Sequence, residues 1–147
     1  MSKKSRKEGN RVACLIKKNK AEFYIADVDL GDVPKDVVSA GNNAIRTLGK
    51  KKSAFMIISA GIKCLTIFIY VPEELSHRIS YNDWMNAATK NLPEGEKEVF
   101  DDYITLETTT PFKLIDLVRT NGFAYLNKQG CIEDEESSEE FIGFDDL

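Results

Sequence analysis

"SAFMIISAGIKCLTIFIYVP", residues 53–72, is the stretch on which the fold turns. It holds 20 residues and one charge, Lys63, so two readings compete. A membrane span needs roughly 20 apolar residues without a break. Here Ser59-Ala60-Gly61 and Lys63 interrupt the middle. On either side stand Phe55-Met56-Ile57-Ile58 and Leu65-Thr66-Ile67-Phe68-Ile69-Tyr70-Val71. Both runs are rich in β-branched and aromatic residues, and a short small-residue link joins them. That is the pattern of a hairpin of two buried strands. The expectation is two central strands, about 54–59 and 63–71, covered by helices with polar outer faces.

Upstream, "RVACLIKKNK" (11–20) reads as a strand or as one or two turns of helix, and "EFYIADVDL" (22–30) as a strand. Gly31-Asp32 turns the chain. Pro34 suits a first helical turn, where its missing N–H costs nothing. Val37, Gly41, Ala44, Ile45 and Leu48 follow at helical spacing, and Gly49 is placed to end the helix. Downstream of Pro72, Ser80 and Asp83 resemble a capping box. Trp84, Ala87, Ala88 and Leu92 make one face of a second helix, which Pro93 stops. "PEGEKE" reads as a polar loop and "VFDDYITLE" (99–107) as a strand. Thr110-Pro111 is an N-cap and N1 pair for a last helix. Its buried face is Phe112, Ile115 and Val118 with Leu114, and Gly122 lies near its end. "FAYL" (123–126) either continues that helix or adds an edge strand. The predicted order is β-α-β-β-α-β-α, an α/β fold with a single mixed β-sheet of four to five strands and helices packed on it.

The 147 residues are 42% hydrophobic and 30% charged, which suits one domain with a real core. The net charge of -4 is unevenly laid out: residues 1–11 carry +4, residues 133–147 carry -8, and the middle is neutral. Blocks of like charge repel themselves. The expected organisation is a disordered basic arm (1–11), a globular α/β domain (12–130) and a disordered acidic tail (131–147). No apolar run follows the basic start, so it does not read as a secretory signal. The three cysteines are far apart and form no CxxC pair, and His77 is the only histidine. No zinc site and no cofactor are therefore expected. Cys14 and Cys64 read as small core residues. The expected location is intracellular, in the cytoplasm.

Motifs that carry catalysis are missing: there is no GxSxG, GxxxxGK[ST] or GxGxxG. Asp101-Asp102 falls inside the expected strand, where neighbours point to opposite faces, a geometry that does not favour a shared metal. His77, beside Arg78, reads as a surface-loop residue, and Trp84 as a core anchor. Nothing argues for an enzyme.

The stretch from 22 to about 127 resembles the C-terminal domain of eukaryotic alanyl-tRNA synthetases. "FYIADVD" stands where that family has its first strand, and a helix of similar length follows. "SAFMIIS" precedes "CLTIFIYVP" with its Val71-Pro72 exit. "SHRISYNDW" resembles the family's Arg-containing loop before a helix opening with an acidic-Trp pair, here Asp83-Trp84. "FAYL" resembles its last helical segment. The resemblance implies a free-standing appended domain that binds the outer part of tRNA, without aminoacylation or editing. One departure stands out. The family's glycine-rich stretch is replaced by "LPEGEKEVFDDYITLETTTPF", whose only glycine is Gly95. Glu94, Glu96, Glu98, Asp101 and Asp102 there would repel phosphate.

Two functions follow as expectations. The first is a non-catalytic RNA-binding accessory module with tRNA or ribosomal RNA as partner. Its contacts would be Lys3, Lys4, Arg6, Lys7 and Arg11, then Lys17, Lys18 and Lys20, then Arg46 with Lys50, Lys51 and Lys52, and Arg78. The second is a protein-interaction adaptor in a ribosome or synthetase complex. It would use "EDEESSEEFIGFDDL", where Phe141, Ile142, Phe144 and Leu147 follow an acidic run as apolar anchors. The ending is similar to that of acidic ribosomal stalk proteins. Ser137 and Ser138, set among acids, read as candidate phosphorylation sites.

Overall fold

The computed structural model describes residues 2–92 and 96–132. Residues 53–72 form the expected hairpin: β2 (Ala54–Ala60) and β3 (Cys64–Tyr70) pair antiparallel, with Phe55 opposite Tyr70 and Ala60 opposite Leu65. Six of the seven residues in each strand are buried, because both faces of this ribbon are covered. That is why the two runs are almost continuously apolar instead of alternating. Gly61 closes the hairpin, and a Cβ there would collide with the Asp32 carboxylate. Asp32 Oδ1 accepts from the N–H groups of Lys63 (3.0 Å) and Cys64 (2.9 Å), which locks the turn.

β1 (Phe23–Val28) pairs parallel with β2, and α2 (Pro34–Leu48) makes the crossover between them. β5 (Tyr103–Glu107) pairs antiparallel with β3, and β4 (Glu96–Val99) lies outside β5. The mixed sheet has five strands in the order β1-β2-β3-β5-β4. On one face α1 (Lys3–Asn19) and α2 bury Val12, Ile16, Val37 and Ala44 against Val28, Phe55, Ile57 and Phe68. On the other, α3 (Tyr81–Ala88) and α4 (Ile115–Lys128) bury Trp84, Val118 and Leu126 against Ile25, Met56, Ile67 and Ile104. The result is three layers, with β2 and β3 at the centre.

Several local expectations are corrected. The arm expected to be disordered over 1–11 is structured from Ser2 onward. From Lys3 onward it belongs to α1, which buries Ser5 and Gly9 as well as Val12, Ala13 and Ile16. Ser2 caps it, accepting from the Ser5 N–H at 3.0 Å. "VFDDYITLE" is not one strand: Asp101 and Asp102 form the turn between β4 and β5, closed by Phe100 N–H to Tyr103 O at 2.8 Å. Glu96, Lys97 and Glu98, read as loop, join Val99 in the exposed edge strand. Ser80 does cap α3, accepting from the Asp83 N–H at 3.3 Å. Thr110 makes no side-chain cap, and Pro111–Leu114 is a 3-10 turn leading into α4. Phe112 is 61% exposed, so the buried face runs through Leu114, Val118, Gly122 and Leu126 instead. Gly122 is mid-helix, accepting from Trp84 Nε1 at 3.2 Å, and "FAYL" continues the helix. Cys14 is exposed on α1, whereas Cys64 is buried. Among the described residues no helix is long and apolar enough to cross a membrane.

Candidate nucleic-acid interface

The basic residues of α1 divide by helical position. Its buried face repeats at 5, 9, 12, 13 and 16. Lys3, Lys7 and Lys18 lie opposite this face and point outward. A helix of this length spans about 25 Å, so these lysines form a long ridge. Arg6 and Lys17 flank it on the side of α2. Lys4 and Arg11 flank it on the side of β1, where Lys4 pairs with Asp29 (3.7 Å). Arg11 donates to the Asp27 carbonyl (2.7 Å) and pairs with Glu8 (2.8 Å).

A polar seam holds the ridge on the domain. A Cβ at Gly9 would lie 2.6 Å from Ala40 O, so only glycine allows α1 this close to α2. The buried Asn43 donates to Arg6 O (3.0 Å) and Asn10 Oδ1 (2.9 Å) and accepts from Arg46 (3.0 Å). Lys17 Nζ donates to Thr47 O (2.9 Å) at the C-terminal end of α2. These contacts advance together along α1 and α2, so both helices end on the same side of the molecule.

That side gathers a second group. Lys20 ends α1, and Lys50, Lys51 and Lys52 follow α2. Ser53 Oγ donates to Ala21 O (2.6 Å) and Ala54 N–H to Glu22 O (2.8 Å), tying the two segments together. Arg78 lies at this end too. It is committed to Glu22 (2.8 Å) and stacks over the Phe23 ring at 4.9 Å. Of the expected contacts, the side chains of Lys3, Arg6, Lys7, Lys18, Lys20, Lys50, Lys51 and Lys52 have no ion pair or hydrogen bond among the described residues. Lys4, Arg11, Lys17, Arg46 and Arg78 are engaged by the fold.

The helix dipole distinguishes the two groups. Cations at a helix C-terminus are stabilised by it, which accounts for Arg46, Lys17 and Lys18 on structural grounds alone. Lys3, Lys4, Arg6 and Lys7 crowd the positive end of α1, and its first turn holds no acidic residue. There the dipole opposes them, and an anion would relieve the repulsion. The described acidic residues of the replaced loop stand well away. Glu96, Glu98 and Glu107 lie on β4 and β5, with Asp101 and Asp102 in the turn between them, across a sheet about 19 Å wide from β1.

Asp101 and Asp102 flank a turn above Tyr81, whose hydroxyl is buried without a partner among the described residues. Burial, with the Asp102 and Asp101 charges, pushes the Tyr81 hydroxyl up to about 12. His77 is exposed and stands in the loop before α3. Among the described residues no group of three or more His, Cys, Asp or Glu could hold a metal ion. Phe141, Ile142, Phe144, Leu147, Ser137 and Ser138 lie outside the described residues, as do Pro93, Glu94 and Gly95. Comparison with protein-family models gives no match, and comparison with curated proteins gives none.

Proposed function

We propose that this chain is a non-catalytic RNA-binding module that holds structured RNA, such as tRNA, by its phosphate backbone. The observation that carries the reading is the crowding of Lys3, Arg6 and Lys7 at the positive end of α1 with no acidic partner in its first turn. That arrangement destabilises the helix, and a bound polyanion reverses the effect. The ridge then continues through Lys18 to Lys20 and Lys50–Lys52, a length that suits a backbone rather than a single phosphate. The resemblance of residues 22 to about 127 to the alanyl-tRNA synthetase C-terminal domain supports RNA over other polyanions. Recognition is by charge and shape, because among the described residues no row of exposed aromatic side chains accompanies the lysines.

The test is binding of a labelled tRNA pool to the full chain across a salt series. Deleting residues 1–11 would remove half of a packed helix, so charge is removed by substitution instead. Two triple variants serve, Lys3/Arg6/Lys7→Gln and Lys50/Lys51/Lys52→Gln. The full chain is expected to bind in roughly the micromolar range near physiological salt, weakening as salt rises. Each triple should reduce the log–log salt slope by about two, because every phosphate that a cation neutralises contributes roughly 0.7–0.9 to it. Absence of binding at low salt, or a slope that neither triple changes, would sink the reading.

A further inference from the structure

β1 is the open edge of the sheet, with no partner strand on its outer side among the described residues. Glu22 O accepts from the Ala54 N–H across to β2. Alternate residues of a parallel strand bond the same neighbour, so Phe23, Ile25 and Asp27 turn their backbone groups outward. Arg11 agrees with this direction by donating to the Asp27 carbonyl at 2.7 Å. Phe23 and Ile25 keep these backbone groups without a partner strand among the described residues, although each residue is only 6% exposed. Native proteins normally cover or blunt such an edge.

Here the edge is the floor of a groove of about 410 Å³. α1 forms one wall with Arg11 and Leu15, and α4 forms the other with Arg119 and Phe123. Each wall presents an arginine and, one helical turn on, an apolar residue. Phe123 is 38% exposed. The polarity along the groove is set by Asp27, which both arginines reach: Arg119 NH2 lies 2.6 Å from its Oδ1. From the start of β1 toward its end, the walls are therefore first apolar and then cationic. Each guanidinium carries five N–H donors, more than Glu8, Asp27 and Asp116 use.

We propose that this groove docks an extended strand, and that its occupant is residues 141–146 of the same chain. The segment reads Phe141-Ile142-Gly143-Phe144-Asp145-Asp146, apolar and then acidic, in the same order as the walls. In a strand Phe141 faces one wall while Ile142 and Phe144 face the other, so both apolar walls are covered. Asp145 and Asp146 arrive at Arg11 and Arg119. The described chain ends at the correct side. Cys131 and Ile132 pack on the α3/α4 face, and Cys131 lies within electrostatic range of Glu22 and Arg78, at the start of β1. From Ile132 to Phe141 the chain spans up to about 30 Å when extended, more than the roughly 20 Å of β1. The added strand runs parallel to β1 and hydrogen-bonds to Phe23 and Ile25, the mode by which peptides extend a sheet. The inference is independent of RNA binding.

The test is amide hydrogen exchange in the full chain, followed residue by residue by NMR. The Ile25 N–H is expected to exchange roughly ten-fold or more slowly than in a Phe141→Ser/Phe144→Ser variant, with amides of β2 and β3 unchanged as the internal control. Phe123→Ser, which removes the α4 wall, should expose Ile25 to the same extent. Equal exchange at Ile25 in the native chain and the tail variant overturns the proposal, whatever the wall variant does. Protection that grows with protein concentration, together with a dimer in sedimentation, would place the segment of a second copy in the groove and overturn the intramolecular assignment.

Discussion

Single residues show where binding and folding can be separated. Lys20 ends α1 in a left-handed conformation, φ 52°, with its N–H returned to Ile16 and Lys17 carbonyls. That conformation is costly for a residue with a Cβ and free of strain for glycine. Lys20→Gly should leave stability unchanged or raise it by up to about 1 kcal/mol, while removing one cation from the basic end. Urea unfolding and the tRNA salt series, run on one preparation, measure both; a destabilised variant would count against the cap geometry. Tyr81 is a second such site. Its folded hydroxyl titrates at about 12 against an ordinary value of 10.0, so the fold favours the neutral form. The stability this represents is complete below pH 10 and lost as the pH rises through about 12. Tyr81→Phe should flatten that alkaline loss, with little cost at neutral pH because the hydroxyl has no partner to lose. Urea midpoints at about pH 7 and about pH 11 show it; an unchanged alkaline loss in the variant would assign the loss to other groups.

At the scale of elements, what the sequence disclosed and what it hid have physical causes. The hairpin, the α2 crossover and the Ser80 cap were legible because each is written in local chemistry: β-branched runs, a proline at N1, a serine before a helix. α1 was hidden because its buried face relies on Ser5, Gly9 and Ala13, and its seam on Asn10 and Asn43. Small and polar residues leave little hydropathy signal, and the surrounding lysines pointed to an unstructured arm. β4 was hidden because an edge strand with every residue exposed shows no apolar alternation, and Asp101-Asp102 turns the chain without a glycine. The basic ridge was legible as charge but not as geometry, since the division between engaged and unengaged cations depends on partners distant in sequence. The β1 groove left no sequence signal at all, because its walls, around Arg11 and Arg119, come from opposite ends of the described chain. The α1–α2 seam makes a prediction at this scale. Gly9→Val should cost about 1–3 kcal/mol by overpacking against Ala40 and Asn43. It should weaken tRNA binding in parallel, because the ridge is held in place by that contact. Loss of stability with unchanged binding would show that α1 binds without being docked.

Among the described residues the unengaged lysines gather on one layer and one end of the fold, and this sets how its parts compete. The lysines proposed to face RNA occupy the α1/α2 layer and the end where α1 and α2 finish, while β4 and β5 carry acids at the far sheet edge. The described chain leaves at Cys131 and Ile132, at the end of the sheet that also bears Lys20 and Lys50–Lys52. Glu133, Asp134, Glu135 and Glu136 come next in sequence, four negative charges directly after Ile132. The α3/α4 and α1/α2 layers are about 20 Å apart, twice the screening length at about 0.1 M salt but within the roughly 30 Å of 0.01 M. The acidic run should therefore weaken RNA binding chiefly at low ionic strength. Replacing these four residues by Gln and Asn is expected to tighten tRNA binding by roughly three- to ten-fold at about 0.01–0.02 M salt, and by little above about 0.2 M. The same substitutions should leave exchange at Ile25 unchanged, because the occupant proposed for the groove is residues 141–146 and not the acidic run. Tightening that persists undiminished at high salt would mean that the run occupies the lysines by direct contact. No tightening at any salt would mean that residues 133–136 lie outside the field of the basic end.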